Sequence, residues 1–537
     1  MSGELYLAEI MGAGAALFDY DNDGDLDVYL VQGGMLGPGK TLADAVFPPP
    51  PGRDLRDRLF RNDLVVGEDG ERRLRFTDVT EASGIRAQGY GMGVATGDFD
   101  NDGFTDLYVT NFGGNQLLRN NGDGTFSDTT EKSGTGDPGW SVSAAFIDYD
   151  RDGWLDLYVG DYVKLDLAKQ KHCYSTSSAL DYCTPLVYEP TPDRLYHNRG
   201  DGSFEDASDS AGITQAFGAA LGVVVADVNG DGWPDIYVAN DASPNQLWIN
   251  QGNGTFRDDA MMAGAAVNMG GAAEGSMGVD AADYDSDGDV DLFTTNLTAE
   301  TNTLYVNDGQ GWFEDRTITM GLAAPSNAYT GFGTGWYDFD NDGWLDLFVA
   351  NGAVAIKALS NTSDPFPLRQ TNQLFRSEAG RGFSEVTADA GPALRLSEVS
   401  RGAAFGDVDN DGDTDILVTN DSGPVHLLLN QTGSRASWLG LRVVDAKGCD
   451  ALGARVEIRP ASDPPLWRRV HTDGSYASAS DPRVLVGLGT RRASPTVLVH
   501  WPDDQVEEWR NLPLNRYSTL RQGEGDEPGS REKGSHD

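Results

Sequence analysis

The chain has 537 residues, with 40 lysines and arginines against 84 aspartates and glutamates, a formal net charge of −44. A surface this acidic repels phosphate backbones and argues against nucleic acid as a partner. The 39% hydrophobic content excludes a wholly disordered chain, and no run reaches the roughly 18 apolar residues of a membrane span.

The first element, GELYLAEIMGAGAALFDYD, reads as the end of a strand running straight into the motif DYDNDGDLD. The chain thus opens inside a repeat and is expected to lack a native N-terminus, and with it any visible signal segment. The motif places four acidic positions in nine residues and then recurs. Its aspartates are Asp19, Asp21, Asp23 and Asp27 in the first copy, then Asp98, Asp100, Asp102 and Asp106, and Asp148, Asp150, Asp152 and Asp156. The fourth copy has Asp227, Asn229, Asp231 and Asp235, and the fifth Asp283, Asp285, Asp287 and Asp291. The last two have Asp338, Asp340, Asp342 and Asp346, and Asp407, Asp409, Asp411 and Asp415.

In DxDxDGxxD the carboxylates at positions one, three and five can wrap one hard cation. Gly at position six allows the sharp turn, and the last Asp closes the shell with both oxygens. Position seven would offer only its backbone carbonyl, and its side chain varies freely through Asp25, Phe104, Trp154, Trp233, Asp289, Trp344 and Asp413. Oxygen-only ligands favour Ca²⁺, up to seven ions, over zinc or copper, with Mg²⁺ the weaker candidate. Asn229 should weaken the fourth site. Metal-free turns would leave four carboxylates crowded with nothing to offset their repulsion.

A full unit spans residues 91–134 and contains four strand-like runs: GVATGD, DLYVTN, NQLLRN and TFSDTT. The third run recurs as RLFRN, QLLRN, RLYHN, QLWIN, TLYVN, QLFRS and HLLLN. The shortest motif spacing is 148 − 98 = 50 residues. Four strands at a period of roughly 40–60 residues mark a β-propeller blade. The expected fold is therefore all-β, a seven-bladed propeller over 1–431. Its seventh unit lacks a fourth strand, and the residues before Met11 supply only a stub of one. Long insertions fall at 31–57, 161–192 and 352–371, in loops on the face opposite the motifs, where recognition is expected. Cys173 and Cys183 share one insertion and can form a local disulfide in an oxidising compartment, the alternative being two separate thiols. His172 and these cysteines match no standard zinc spacing.

Past Asn430 the motif disappears. Residues 434–523 read as a small β-rich domain, and 524–537 as a disordered tail. The stretch HTDGSYASAS clusters His471, Asp473, Tyr476, Ser478 and Ser480, better explained by strand-edge hydrogen bonding than by catalysis. No GxSxG, HExxH or GxxxxGK[ST] occurs. Glu274 and Arg401 each precede an inner strand. They would either face one axial pocket or serve structure in unrelated places.

MGAGAALFDYDNDGDLDVYL, GVVVADVNGDGWPDIYVANDASPNQLWINQGNGTF, RGAAFGDVDNDGDTDILVTND and GARVEIR…HTDGSYASASDPRVLVGLG…VLVHWPDD resemble the cartilage acidic protein/UnbV (ASPIC/UnbV) family. The repeats themselves are similar to the FG-GAP/VCBS repeats of integrin-type propellers. The resemblance runs to about residue 523. It implies a secreted or surface calcium-binding propeller with a C-terminal UnbV/ASPIC domain, in an extracellular, periplasmic or cell-surface setting, and no known reaction. The expected role is a protein- or glycan-binding scaffold. The alternative is an enzyme with a pocket on the propeller axis.

Overall fold

The computed structural model describes all residues except 50–53, 68–69, 88, 175–177, 179, 356–367, 462 and 530–537. Among the described residues, seven antiparallel sheets of three or four strands follow one another from residue 15 to residue 428, six with four strands and the last with three. Three two-stranded ribbons lie in the connections. The second unit shows how sequence makes each one. Gly91–Gly97 pairs with Asp106–Asn111, with Gly97 opposite Asp106, so the nine-residue motif is the turn between first and second strands. Gln116–Asn120 and Phe126–Asp128 then add in order. Four predicted runs become four strands.

The second strands of the second to sixth sheets are buried along their whole length, Asp106–Asn111 among them. That is the pattern of a sheet covered on both faces, and it explains why these runs are continuously apolar instead of alternating. Ala95, Tyr108 and Leu117 of the second sheet pack on Phe146, Val159 and Tyr196 of the third. The first sheet packs in the same way on the seventh, through Leu17, Leu26 and Val28 against Ala404, Val408 and Leu417. Among the described residues the seventh sheet consists of Ser400–Gly406, Asp415–Asn420 and His426–Leu428. The N-terminal stretch adds no strand to it. Instead, Leu7–Ile10 forms a buried 3-10 turn, where a strand end was expected.

That turn sits where the first strands begin, at the end away from the motifs. Tyr6, Leu7, Ile10 and Met11 pack with Met92, Val142, Leu221, Met277 and Phe332. Two insertions join them there. Leu36 belongs to the first; Tyr162, Val163, Leu165, Tyr182 and Tyr188 belong to the second. Cys173 and Cys183 are disulfide-bonded with Cα atoms 5.1 Å apart, and Cys449 is a buried free thiol. Peptide mapping without reductant should return a linked 173–183 fragment, with Cys449 alkylated only after unfolding. Alkylation of all three cysteines in the unreduced protein would contradict that pairing. Most of the third insertion lies outside the described residues.

The C-terminal module has its own core of Leu439, Leu441, Val456, Ile458, Val486, Val497 and Val499. Seven strands form a three-stranded and a four-stranded sheet, with Ser437–Val444 running parallel to Tyr517–Arg521. Residues 524–529, read from composition as the start of a disordered tail, are tied down: Asp526 and Glu508 exchange backbone hydrogen bonds of 3.0 and 2.8 Å.

Candidate metal centres

Each motif folds into the same hydrogen-bonded loop. At position one, Asp19 accepts from the backbone N–H of Asp23 (3.1 Å) and Gly24 (3.0 Å); the aspartates at that position in the other six copies do the same. Glycine is needed at position six because φ there is left-handed, +91° at Gly24. The position-five carboxylate accepts from the N–H of position seven, as Asp102 does from Phe104 at 3.0 Å. Position nine is a staple. Asp106 accepts from Asn120 N–H of the third strand (2.7 Å) and from Phe99 N–H (3.1 Å).

Position three is different. The Oδ1 atoms of Asp21, Asp100, Asp150, Asp285 and Asp340 are buried with no hydrogen-bond partner, as is Oδ2 of the fully buried Asp291. Five copies of one orphaned oxygen, with Asp21, Asp100, Asp150 and Asp285 each beside two further carboxylates within ligand reach of one another, form the kind of donor set a hard divalent cation takes. The electrostatics agree. Burial holds the position-nine carboxyls far above the usual carboxylate range, at about 8 for Asp27 and about 9 for Asp156, Asp291 and Asp415, although backbone N–H donors pull the other way. Buried acids in this state lack a counter-charge. In the fourth loop Asn229 turns its amide to Asp231 (2.9 Å), spending on its neighbour a position that is acidic elsewhere.

The loops are also tied to one another. The amide of Asn22 donates to Gly103 O, Asn101 to Gly153 O, Asn341 to Gly412 O and Asn410 to Gly24 O. The third-strand asparagines act similarly, Asn120 donating to Tyr20 O and Asn62 to Val408 O, each at 2.8 Å. Position four takes up a left-handed φ, +58° at Asn22, which asparagine tolerates well.

The C-terminal module covers this loop face. Lys447, Arg455 and Arg468 donate to the carbonyls of Gly153, Gly288 and Gly343 at 2.8, 2.6 and 3.0 Å. Arg483 reaches Asp407 O at 3.0 Å. The module's positive side chains therefore sit on the acidic loops.

Residues 472–481 of the module run between the first strands of all seven sheets. Ala479 exchanges backbone bonds with Ala15 and Leu17 at 2.9 and 3.1 Å, Ala477 O accepts from Val94, and Ser475 O accepts from Val279. Ala477 N–H donates to Ser143, Asp473 accepts from Val225 N–H, Ser475 Oγ accepts from Thr334 N–H, and Ser480 Oγ accepts from Phe405 N–H. The approach is close: a Cβ at Gly14 would lie 1.6 Å from Ala477 O. Asp473, Ser475, Ala477 and Ser480 thus bond to different strands, while His471 Nδ1 lies 3.1 Å from the Asp473 carboxylate. The segment occupies much of the space between the first strands, where an enzyme's pocket was the alternative expectation. It leaves beside it a cavity of about 130 Å³ lined by Asp280, Thr334, Trp336, Phe405, His471 and Ser475 among others. Glu274 and Arg401 do not line that cavity. Glu274 accepts from Asn296 and Thr303 at 3.0 and 2.7 Å. Arg401 is fully buried, donates to Ile10 O at 2.7 Å and lies 4.0 Å from the Phe332 ring centre.

Comparison with known proteins follows this division. A family model described as an FG-GAP-like repeat matches residues 98–159, 186–238, 227–294 and 283–349, and one described as ASPIC and UnbV matches 445–527. Cartilage acidic protein 1 of Mus musculus is 28% identical over 327 residues, covering 60% of this chain and 47% of that protein. The Homo sapiens protein is 28% identical over 329 residues, covering 60% and 46%. The chain spans about half the length of these relatives. Among solved structures, YCF48 bound to D1 peptide superposes with a TM-score of 0.40 at 8% identity, covering 79% of this chain and 93% of that one.

Proposed function

We propose, for a chain that carries FG-GAP-like repeats and an ASPIC and UnbV domain and is homologous to cartilage acidic protein 1, that it is a calcium-stabilised seven-bladed propeller serving outside the cytoplasm as a protein- or glycan-binding scaffold. Domain limits of 1–431 and 434–523 describe that architecture, with residues 524–529 held to the second domain through Asp526 and Glu508. The packing of the first sheet on the seventh and the Asn62–Val408 hydrogen bond support a closed ring. The orphaned position-three oxygens support calcium sites in five of the loops, and the motif's recurrence extends the reading to up to seven. The Cys173–Cys183 disulfide supports an oxidising compartment, extracellular, periplasmic or at the cell surface. Modules in that setting commonly bind calcium at about 10⁻⁴–10⁻³ M, far above cytosolic concentrations.

One observation carries the scaffold reading. With the C-terminal module on the loop face, the insertions of the opposite face hold, among the described residues, exposed apolar side chains: Leu42 and Val46 on one, Tyr174, Leu180, Leu186 and Val187 on the other, with Leu186 71% exposed. Exposed apolar groups on loops held by a rigid frame mark a recognition surface. Replacing the exposed Tyr174, Leu180, Leu186 and Val187 by serine, which leaves the insertion's buried tyrosines and disulfide in place, should abolish ligand capture on a glycan array or protein panel while the calcium-dependent melting temperature stays nearly unchanged. Capture that survives such replacements on both insertions, yet fails when surface residues of the C-terminal module are replaced in a folded protein, would place recognition on the other face.

A further inference from the structure

The seven loops are alike in their aspartates and unlike in what stands opposite. The fourth residue of the third strand is, in the first six sheets, Arg61, Arg119, His197, Ile249, Val306 and Arg376, and Leu429 just past the seventh sheet's third strand corresponds to it. Arg119, His197 and Arg376 reach aspartates of their own loop, whereas Arg61 pairs with Asp63 outside the motif. In the second sheet Arg119 grips the position-three carboxylate of Asp100 and reaches Asp102 of position five at 2.5 Å. In the sixth, Arg376 holds Asp340 at 2.6 Å. Where the residue is Val306, the loop carries five aspartates, 283 to 291, and no ion pair to any of them occurs among the described residues.

We infer that this third-strand residue sets the order in which the loops take up cation, loops latched by Arg119 and Arg376 filling last and the unlatched fifth loop among the first. The inference rests on the calcium reading above. A guanidinium bound to the position-three carboxylate supplies the counter-charge that the cation would supply, and it repels the arriving ion. To admit calcium the arginine must swing to solvent, which its one-third to one-half exposed side chain allows. Site affinity of this kind follows the charge count among the ligands, and each latch lowers that count by one. A latched loop is thereby shaped without metal, whereas the fifth loop depends on it.

Calorimetric titration of Ca²⁺ into the chelator-stripped full chain tests this, with Arg119→Leu and Arg376→Leu as variants. Isoleucine and valine already occupy this strand position in the fourth and fifth sheets, so an aliphatic side chain is compatible with the strand. Wild type should show a tighter and a weaker class. Each variant should move one site from the weaker to the tighter class, with at least about tenfold tighter binding, while Arg119→Lys, which keeps the charge, should move none. In the metal-free state each leucine variant should melt below wild type, its latch being lost. Calcium binding with superimposable titrations for wild type and both variants overturns the latch and leaves the calcium reading standing. Absence of any calcium binding to the folded wild type overturns both.

Discussion

Stripped of divalent cation, the protein should melt far lower at pH 8 than at pH 5.5, and millimolar Ca²⁺ should restore the loss at pH 8. The sign follows from the buried carboxyls. In the folded chain Asp27 titrates at about 8 and Asp156, Asp291 and Asp415 at about 9, raised by burial from an ordinary 3.8. A group whose folded value is raised holds its proton more tightly when folded. Its contribution is therefore fully present below about pH 4 and is lost as pH rises toward 9. Calcium, by engaging the ionised form, replaces the proton in that range. Each loop that binds only when folded adds about 1.4 kcal/mol at ten times its Kd, so several loops together give a large rise in melting temperature. Mg²⁺, which keeps its waters, should give a smaller one. Scanning calorimetry at the two pH values, with and without cation, checks the whole pattern. Melting curves that coincide with and without calcium at pH 8 would remove the metal from the account.

Tyr476→Ala should be among the most destabilising single substitutions in the chain. Its side chain is fully buried, edge-on to Phe332 with ring centres 4.9 Å apart, and its hydroxyl donates to Met11 O at 3.0 Å. Emptying an aromatic site of this kind costs about 3–5 kcal/mol, and the stranded Met11 carbonyl adds about 1–3 kcal/mol. Tyr476→Phe separates the two, losing only the second contribution. Denaturant midpoints of the two variants measure the split. If Tyr476→Ala unfolds at the wild-type midpoint, the 472–481 segment is a loose insert and the sheets hold together without it.

The strands were legible because the repeat displays them seven times. Asp106 marks the start of a second strand, Gln116 the start of a third, and both hold in the structure. The loops were legible for the same reason, since DxDxDGxxD sets its turn and its carboxylate-to-backbone hydrogen bonds by local spacing. What stayed hidden depends on contacts between distant parts. HTDGSYASAS looks like any polar turn, and nothing local says that Ala477 will bond to Ser143 and Val94. Arg119 and Arg376 occupy a repeat position also filled by Val306 and Leu429, so their role appears only once the third strand is seen beside the loop. The staple at position nine stayed hidden too: in the second loop both Asp106 oxygens accept from backbone N–H groups, one of them on the third strand, which the local spacing does not announce. The N-terminal stretch misled because Leu-Ala-Glu-Ile carries the apolar content of a strand end, while burial against Met92 and Phe332 bends it into a turn.

The bond from Ala15 N–H to Ser478 spans 463 positions, and that separation bears on how the protein is made. At about 5–20 residues per second, synthesis leaves roughly 20–90 s between the first strand's emergence and that of the segment it must pair with. Throughout that interval the nascent sheets expose Gly14 and their other inner edges, with neither the tyrosine nor the backbone partners that will occupy them. Pairings of such high sequence separation are slow and open to aggregation. A premature stop codon anywhere before residue 472 therefore yields no smaller working version of the protein, only an unfinished one for the quality-control machinery to remove.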